Sequence, residues 1–372
     1  MEKKKKVIVG LSGGVDSSVA LKLLIDEGYD VEAMFMRNWD SALNNDILGN
    51  KDIDSDICPQ EKDYLDAKKV AEKLNIKLHR IDFIEEYWNN VFKYFLDEYK
   101  KGRTPNPDIM CNKYIKFDAF LRHAKELGAD YIAMGHYARV IHNEDKSYLL
   151  RGVDSNKDQT YFLSQISQEQ LRNSLFPIGH LLKKEVREIA KNLDLATADK
   201  KDSTGICFIG ERNFKEFLKN YIPAKPGLIK TMDGAIIGKH DGLMYYTIGQ
   251  RKGLGIGGLK DIESNGFYVC KKDLENNILY VNSGHDNDFL ISYSLKASNL
   301  NWISYKPIEG RGYQAKFRYR EKDNNVTIKF IDEDNMIVSY PRGARAVTEG
   351  QAVVIYDGEI CLGGGIIDEV YK

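Results

Sequence analysis

The apolar positions of this chain fall into three textures. From residue 7 to about 200, short apolar runs alternate with stretches in which apolar residues return at helical spacing. "VIVGL", "VEAMFM", "KLHRIDF" and "ADYIAMGH" read as strands, and "SSVALKLLIDEG" and "DYLDAKKVAEKLN" as amphipathic helices. This α/β alternation predicts a parallel sheet covered by helices, with ligands at the carboxyl ends of its strands. From about 223 to 285 the chain is glycine-rich, as in "MDGAIIGKHDGLMYYTIGQRKGLGIGG", which predicts short strands and turns with little helix. After about 289, runs such as "YQAKFRYR", "NVTIKFI" and "QAVVIYD" recur at short spacing and predict an antiparallel barrel or sandwich. The expected domains are 1–210, 211–286 and 287–372.

Composition changes this picture little. A chain of 372 residues with 42% hydrophobic and 29% charged residues is an ordinary soluble one of more than one domain, and a net charge of −1 neither supports nor excludes an RNA partner. The opening "MEKKKK" leads into a strand too short for a secretory signal or a membrane span, so a cytoplasmic protein without a membrane partner is expected. Five scattered cysteines (Cys58, Cys111, Cys207, Cys270 and Cys361) without a CxxC pair argue against a disulfide framework and a structural zinc site; no metal ligands are assigned.

The chemistry begins at Gly10-Leu11-Ser12-Gly13-Gly14-Val15-Asp16-Ser17. Glycines let backbone N–H groups crowd an anion, and Ser12 and Ser17 add hydroxyls at a helix N-terminus. The lysine of GxxxxGK[ST] is missing, as is GxGxxG, which disfavours γ-phosphoryl transfer and a dinucleotide cofactor. SGGxDS is similar to the PP-loop of ATP pyrophosphatases. That resemblance implies adenylation of a substrate oxygen with ATP, with Asp16 helping to position a magnesium ion (Mg2+) on the phosphates.

An adenylated carbonyl oxygen needs a nucleophile. Cys270 and Cys361 lie in apolar runs and read as buried, and Cys58 reads as an exposed structural thiol. Cys111 in "GRTPNPDIMCNKYIKFDAF" and Cys207 in "KKDSTGICFIGER" sit in polar surroundings and read as partly exposed; Lys200, Lys201 and Arg212 are close enough in sequence to stabilise a Cys207 thiolate. One such thiol can carry a persulfide that the other resolves, provided the two approach in space.

Taken together, "GLSGGVDSSVA", "GRTPNPDIMCNKYIKF", "MGHYAR", "LLRGVDSNKDQTYFL", "KKDSTGICFIGERNFKEFL", "GLMYYTIGQRKGLGIGG" and "CLGGGII" resemble the tRNA-specific 2-thiouridylase family, in order, over nearly the whole chain. The resemblance implies an adenine nucleotide alpha hydrolase-like PP-loop domain, a small central domain and a C-terminal antiparallel β-barrel. It implies 2-thiolation of the wobble uridine in tRNAs for lysine, glutamate and glutamine, with ATP, Mg2+ and sulfur from a cysteine desulfurase or a relay protein. Residues 10–17 would hold ATP, and Met36 and Gly135 would line the adenosine pocket. Asn106, Pro107 and Asp108 would surround the flipped base, with Asp108 either a general acid or base or part of a plain turn. Cys207 would accept the persulfide and Cys111 would act as nucleophile, whether hydrosulfide is released or the persulfide attacks directly. Lys157, Asp158 and Gln159 would face the tRNA, and Arg318 and Tyr319 in "KFRYR", otherwise an ordinary barrel strand, would contact phosphate and stack on bases. A monomer bound to one tRNA is the family expectation. The polar insert at 37–63 reads either as a flap near the nucleotide or as a contact for the sulfur donor. A PP-loop amidotransferase or ligase for a small molecule, which would not need Cys111 and Cys207, is the competing enzyme class, and a non-catalytic RNA-binding module is the third.

Overall fold

The structure is a computed structural model and describes residues 4–50, 58–200, 209, 212–256 and 266–372. Cys207, Lys201 and the part of the glycine-rich segment from 257 to 265 lie outside the described residues.

The N-terminal part is a five-stranded parallel sheet in the order β3-β2-β1-β4-β7, built from β1 (Lys6–Gly10), β2 (Asp30–Arg37), β3 (Leu78–Asp82), β4 (Tyr131–Ala133) and β7 (Ser174–Leu175). Val7, Ile8 and Val9 are fully buried, because helices cover both faces of the central strand. One of them is α1 (Val15–Asp26), which presents Val15, Val19, Ala20, Leu21 and Leu24 to the core. The chain lays β2 and β3 on one side of β1 and β4 and β7 on the other. The order therefore reverses beside β1, where open α/β sheets leave a crevice at their carboxyl ends.

Helix α2 (Pro59–Lys73) starts earlier than the apolar pattern predicts, because Pro59 supplies a preset φ at the first helical position after Cys58. Of the insert before it, residues 37–50 are described and are tied down by hydrogen bonds, while 51–57 lie outside the described residues. Buried Asp46 accepts from Trp39 Nε1 at 3.0 Å and from Arg212 Nε and NH2 at 3.0 and 2.9 Å, and Asn220 and Tyr221 bond the backbone at Leu48 and Asn44. Two longer helical stretches follow: α3 spans 84–100 and α4 spans 107–126, each with a π-helical segment, at Trp88–Phe92 and Asn112–Ala119. Helix α6 (Lys183–Asn192), which follows the short α5 (Gln168–Arg172), packs against α1 through Val186 and Ala190.

The central strands β8 (Gly227–Thr231), β9 (Ile236–His240), β10 (Phe267–Asp273) and β11 (Ile278–Ser283) form one small sheet in the order β10-β11-β8-β9. The C-terminal part is a closed six-stranded antiparallel barrel of β12 (Ile291–Trp302), β13 (Tyr313–Lys316), β14 (Asn324–Phe330), β15 (Met336–Arg345), β16 (Ala352–Asp357) and β17 (Ile360–Tyr371), which β17 closes by pairing back to β12. A Cβ on Gly364 would stand 1.9 Å from the Val353 carbonyl oxygen, so the close approach of β16 and β17 requires glycine there. The barrel also reaches into the N-terminal part: the hairpin of β5 (Ala138–His142) and β6 (Ser147–Arg151) joins its sheet where Leu150 pairs with Ile360.

Candidate active site

The loop between β1 and α1 lies at the reversal of the sheet. Gly14, without a side chain, occupies the cap position of α1, so the first N–H groups of the helix carry no side-chain cap and the positive end of its dipole faces the crevice. Gly13 stands at φ 72°, a left-handed conformation that glycine adopts without strain. Ser17 Oγ lies 3.2 Å from both the backbone N and the Oγ of Ser12 and donates to the Gly14 carbonyl at 3.1 Å, which folds Gly10 to Ser17 into a tight cup. Leu11 and Val15 are buried beneath it. Gly135, just past β4, touches the cup: a Cβ there would meet Ser17 N at 2.8 Å. Met36 at the end of β2 and Met134 beside it are buried around the same strand ends.

Asp16 is held by two partners that motif reading missed. Tyr137 Oη donates to Asp16 Oδ1 at 2.8 Å, and Lys183 Nζ donates to Oδ1 and Oδ2 at 2.7 and 2.8 Å. A cationic side chain in the first turn of α6 opposes that helix's dipole, and this was the signal that an anion waits nearby. Another helix thus delivers a lysine to the edge of the cup. Asp16 is the carboxylate of the cup, and no group of three or more His, Cys, Asp or Glu side chains suited to a metal occurs among the described residues. A magnesium ion brought by nucleotide phosphates needs only one or two protein carboxylates, which Asp16 can satisfy.

Helix α4 positions the thiol. Asn106 Oδ1 caps it by accepting from Ile109 N at 3.4 Å, and Pro107 occupies its first position. Asn106 and Pro107 thereby fix the helix start and leave Asp108, half-buried, in its first turn. Cys111 closes the α-helical turn where the π-helical segment begins and is fully buried, in contrast to the partial exposure expected from its polar neighbours. Ile109, Met110 and Ile115 draw the helix into the main core and take Cys111 with them.

Asp158 needs correction: it faces inward, not toward a partner. Its carboxylate, 5% exposed, accepts from Gly152 N at 3.1 Å and from Thr160 Oγ1 at 2.9 Å, and Lys316 Nζ of the barrel lies 3.7 Å away. An anion buried this deeply is stable because donors surround it, and they leave no face for RNA. Gln159 turns inward too, its side-chain oxygen accepting from Tyr137 N at 2.9 Å, while Lys157 is half-buried. Arg318 and Tyr319 lie on a turn past the end of β13, not on the strand that "KFRYR" suggests. Tyr319 packs its ring 4.4 Å from that of Phe162, whose carbonyl accepts from Asn112 Nδ2 at 3.0 Å, so this basic turn reaches the residue next to Cys111. Arg318 is exposed. Among the described residues Lys200 Nζ is engaged by Asp63 and Asp66, and Arg212 by Asp46, while Cys207 itself lies outside them. His136 is buried between the rings of Phe117 and Phe176, and this burial holds its imidazole well below its ordinary pKa and uncharged.

A glycine-serine cup at the sheet reversal, followed by a small sheet and a closed barrel, defines the class: a PP-loop nucleotide enzyme with two appended β-domains. Family models described as "tRNA methyl transferase HUP domain", "tRNA methyl transferase PRC-barrel domain" and "Aminomethyltransferase beta-barrel domain" match residues 5–211, 215–283 and 292–367. Proteins called tRNA-specific 2-thiouridylase MnmA are similar over full length. The one from Acholeplasma laidlawii (strain PG-8A) is 59% identical over 99% of this chain and 98% of its own, and the one from Bacillus pumilus (strain SAFR-032) 55% over 99% and 96%. Among solved structures, NMN synthetase from Francisella tularensis is 19% identical, covers 54% of this chain and 67% of its own and gives a TM-score of 0.33, an overlap from which no function is read. The chain belongs to the tRNA-specific 2-thiouridylase family and is a sulfurtransferase. The word methyl transferase belongs to the domain descriptions, whereas the full-length relatives are named for thiolation. Among the described residues no helix is long and apolar enough to cross a membrane.

Proposed function

We propose that the chain uses ATP to 2-thiolate the wobble uridine of tRNAs for lysine, glutamate and glutamine. The full-length similarity to relatives named tRNA-specific 2-thiouridylase supports 2-thiolation of tRNA, and the wobble position and the three tRNAs are what the family resemblance implies. The uncapped N–H groups around Gly14, with Lys183 beside Asp16, suit a nucleotide triphosphate, and backbone and lysine together serve where a Walker loop would place its own lysine. Mg2+ would neutralise the phosphates from the Asp16 side and aid departure of pyrophosphate.

In this reading O2 of the uridine attacks the α-phosphate of ATP, pyrophosphate leaves, and the adenylated oxygen becomes a leaving group. Cys207 carries a persulfide from a desulfurase or relay protein. Attack by the Cys111 thiolate on the inner sulfur forms a Cys111–Cys207 disulfide and frees hydrosulfide, which adds at C2 and expels AMP. Direct attack by the persulfide on C2, followed by resolution by Cys111, ends in the same disulfide. Either way an external thiol must supply two electrons before the next turnover. Asp108, in the first turn of the Cys111 helix, would exchange a proton near the base, with Asn106 and Pro107 holding that turn. Met36 and Gly135 bound the adenosine side of the cup, and Arg318, Tyr319 and Lys157 supply cation and ring for the RNA, taken up by a monomer in the cytoplasm.

The test is to incubate the protein with ATP, Mg2+, an unmodified lysine tRNA transcript and a persulfide source, and to analyse the nucleosides by mass spectrometry. 2-Thiouridine is expected with wild type and not with Cys111→Ser or Cys207→Ser. Absence of product with wild type overturns the reading. Full activity in either serine variant overturns the two-thiol mechanism and returns the choice to a PP-loop ligase of another substrate.

A further inference from the structure

A cavity of about 390 Å³ opens where the three parts of the chain meet, between the end of α3, the small sheet and the barrel. Lys272, near the end of β10, lines it and reaches the N-terminal part: its Nζ donates to the Gly102 carbonyl at 2.9 Å. Gly102 stands at φ 74°, and a Cβ there would lie 2.7 Å from Leu274 Cδ2, so its missing side chain lets the end of the strand come this close. An ammonium has three N–H donors. Among the described residues the Gly102 carbonyl takes one, and no carboxylate lies within ion-pairing distance of Lys272. Burial pulls its pKa down to about 8 against the opposing pull of Glu349, the mark of a charge short of partners. A single bond to a carbonyl does not need a charge, since a neutral donor would make it without the cost of burying an ammonium. Two donors of a half-buried cation are left for whatever enters the cavity.

The rest of the lining narrows what that is. Lys101, Lys271 and Lys372 join Lys272 around the cavity, against the one carboxylate of Glu349. Lys101 is spent on Glu98 at 2.9 Å, whereas Lys271 and Lys372 have no carboxylate partner among the described residues. Phe289 and Leu274, also in the lining, are 39% and 50% exposed, and Lys372 Nζ lies 5.3 Å from the centre of the Phe289 ring. Unpaired ammonium groups beside an exposed ring suit single-stranded RNA, with phosphate on the cation and base on the ring. The cavity also lies near the thiol helix, because Gly102 precedes the cap residue Asn106 by four residues, at most about 14 Å of extended chain. We propose that this junction is a subsite for the substrate tRNA, in which Lys272 holds a backbone phosphate and Phe289 receives a neighbouring base, so that the RNA is tied to all three parts of the chain at once. The proposal rests on the thiolation reading above and deepens it. Glu349 works against an anion in the same cavity, which gives the experiment an expected change in each direction.

The assay is equilibrium binding of an unmodified lysine tRNA transcript, read by fluorescence anisotropy between about 50 and 200 mM salt. Lys272→Met should raise the Kd about tenfold, the loss of one charged hydrogen bond to phosphate, and should flatten the dependence of log Kd on log salt by about one phosphate contact. Phe289→Ala should weaken binding about fivefold with the salt dependence unchanged, as loss of stacking does. Glu349→Gln should tighten binding about twofold, because it removes the charge that repels the phosphate. A folded Lys272→Met protein with the wild-type Kd and salt dependence overturns the proposal. If Lys272→Met does not fold, Phe289→Ala and Glu349→Gln change exposed side chains and decide the matter together: unchanged Kd in both overturns it. Calorimetry with inorganic phosphate separates RNA from a free anion. Phosphate binding that is lost in Lys272→Met while its tRNA affinity stays at the wild-type value marks a site for a free anion and overturns the RNA assignment. A wild type that forms thiouridine while Lys272→Met binds tRNA as wild type does is a failure of this proposal alone. A wild type that binds the transcript with these variant effects but forms no thiouridine is a failure of the thiolation reading alone.

Discussion

The buried ion pair of Asp46 and Arg212 invites a quantitative test, because it joins the segment after β2 to the chain just past the Cys207 stretch. Side-chain exposures are 0% and 5%, and Asp46 Oδ2 alone takes Trp39 Nε1, Arg212 Nε, Arg212 NH2 and, at 3.4 Å, Ser41 Oγ, while Oδ1 has no hydrogen-bond partner among the described residues. Removing the carboxylate strands a guanidinium and an indole N–H away from water. Asp46→Ala should cost about 3–5 kcal/mol, as should Arg212→Ala, because each leaves one charge buried without its partner. Replacing both, as Asp46→Leu with Arg212→Met, removes the desolvation problem with the attraction and should cost less than either single change. Trp39 and Trp88 stack 6.2 Å apart within this cluster, so in a Trp302→Phe background urea unfolding followed by tryptophan fluorescence reports on this part of the chain and avoids assuming that three domains melt together. Single variants that cost under about 1 kcal/mol, or a double variant whose cost equals the sum of the two, would refute the reasoning.

Other outcomes follow from the site. Gly13→Ala combines a left-handed backbone with a Cβ 2.1 Å from the Asp63 carbonyl, so ATP-dependent release of AMP should be lost while barrel stability, read by hydrogen exchange over 291–371, is kept; normal AMP release contradicts this. His136 is uncharged in the fold because burial holds its pKa below the ordinary value. The unfolded chain takes up that proton first, so stability should fall as pH drops below about 6.5. His136→Phe should remove this component of the acid dependence of thermal unfolding, and an identical pH profile would count against it. Alkylation by iodoacetamide should modify exposed Cys58 at least about tenfold faster than buried Cys111 in the free protein, since reaction at a buried thiol waits for local opening; equal rates by peptide mass spectrometry would rule out the burial of Cys111.

The architecture was largely legible because its signals are periodic and local. A three-residue apolar core in β1, glycines at a strand-to-helix turn and short β-runs near the end each prescribe an element without reference to distant residues. The extra hairpin on the barrel was not, since a pairing of Leu150 with Ile360 is a long-range match between two ordinary strands. Site residues divide the same way. The cup follows from glycine and serine, whereas Lys183, Tyr137 and Lys200 join it only when segments from far along the chain come to rest beside it.

Misreading of exposure has one physical root at Cys111, Asp158 and Gln159. Polar neighbours in sequence suggest surface, yet here the polar groups are spent inside: Asn106 on capping α4, Asp158 on Thr160 and Gly152, Gln159 on Tyr137. Each bond fixes a turn that abuts the cup or the Cys111 helix. Gln159 steadies Tyr137, Tyr137 holds Asp16, and Asp16 holds Lys183, so Gln159 braces the phosphate cup. Beside Cys111, the turn at Arg318 and Tyr319 meets α4 through Phe162 and Asn112. That turn touches the thiol helix on one side and presents an exposed arginine on the other, so in the proposed function an RNA held at the barrel would bear on Cys111 through Tyr319, Phe162 and Asn112.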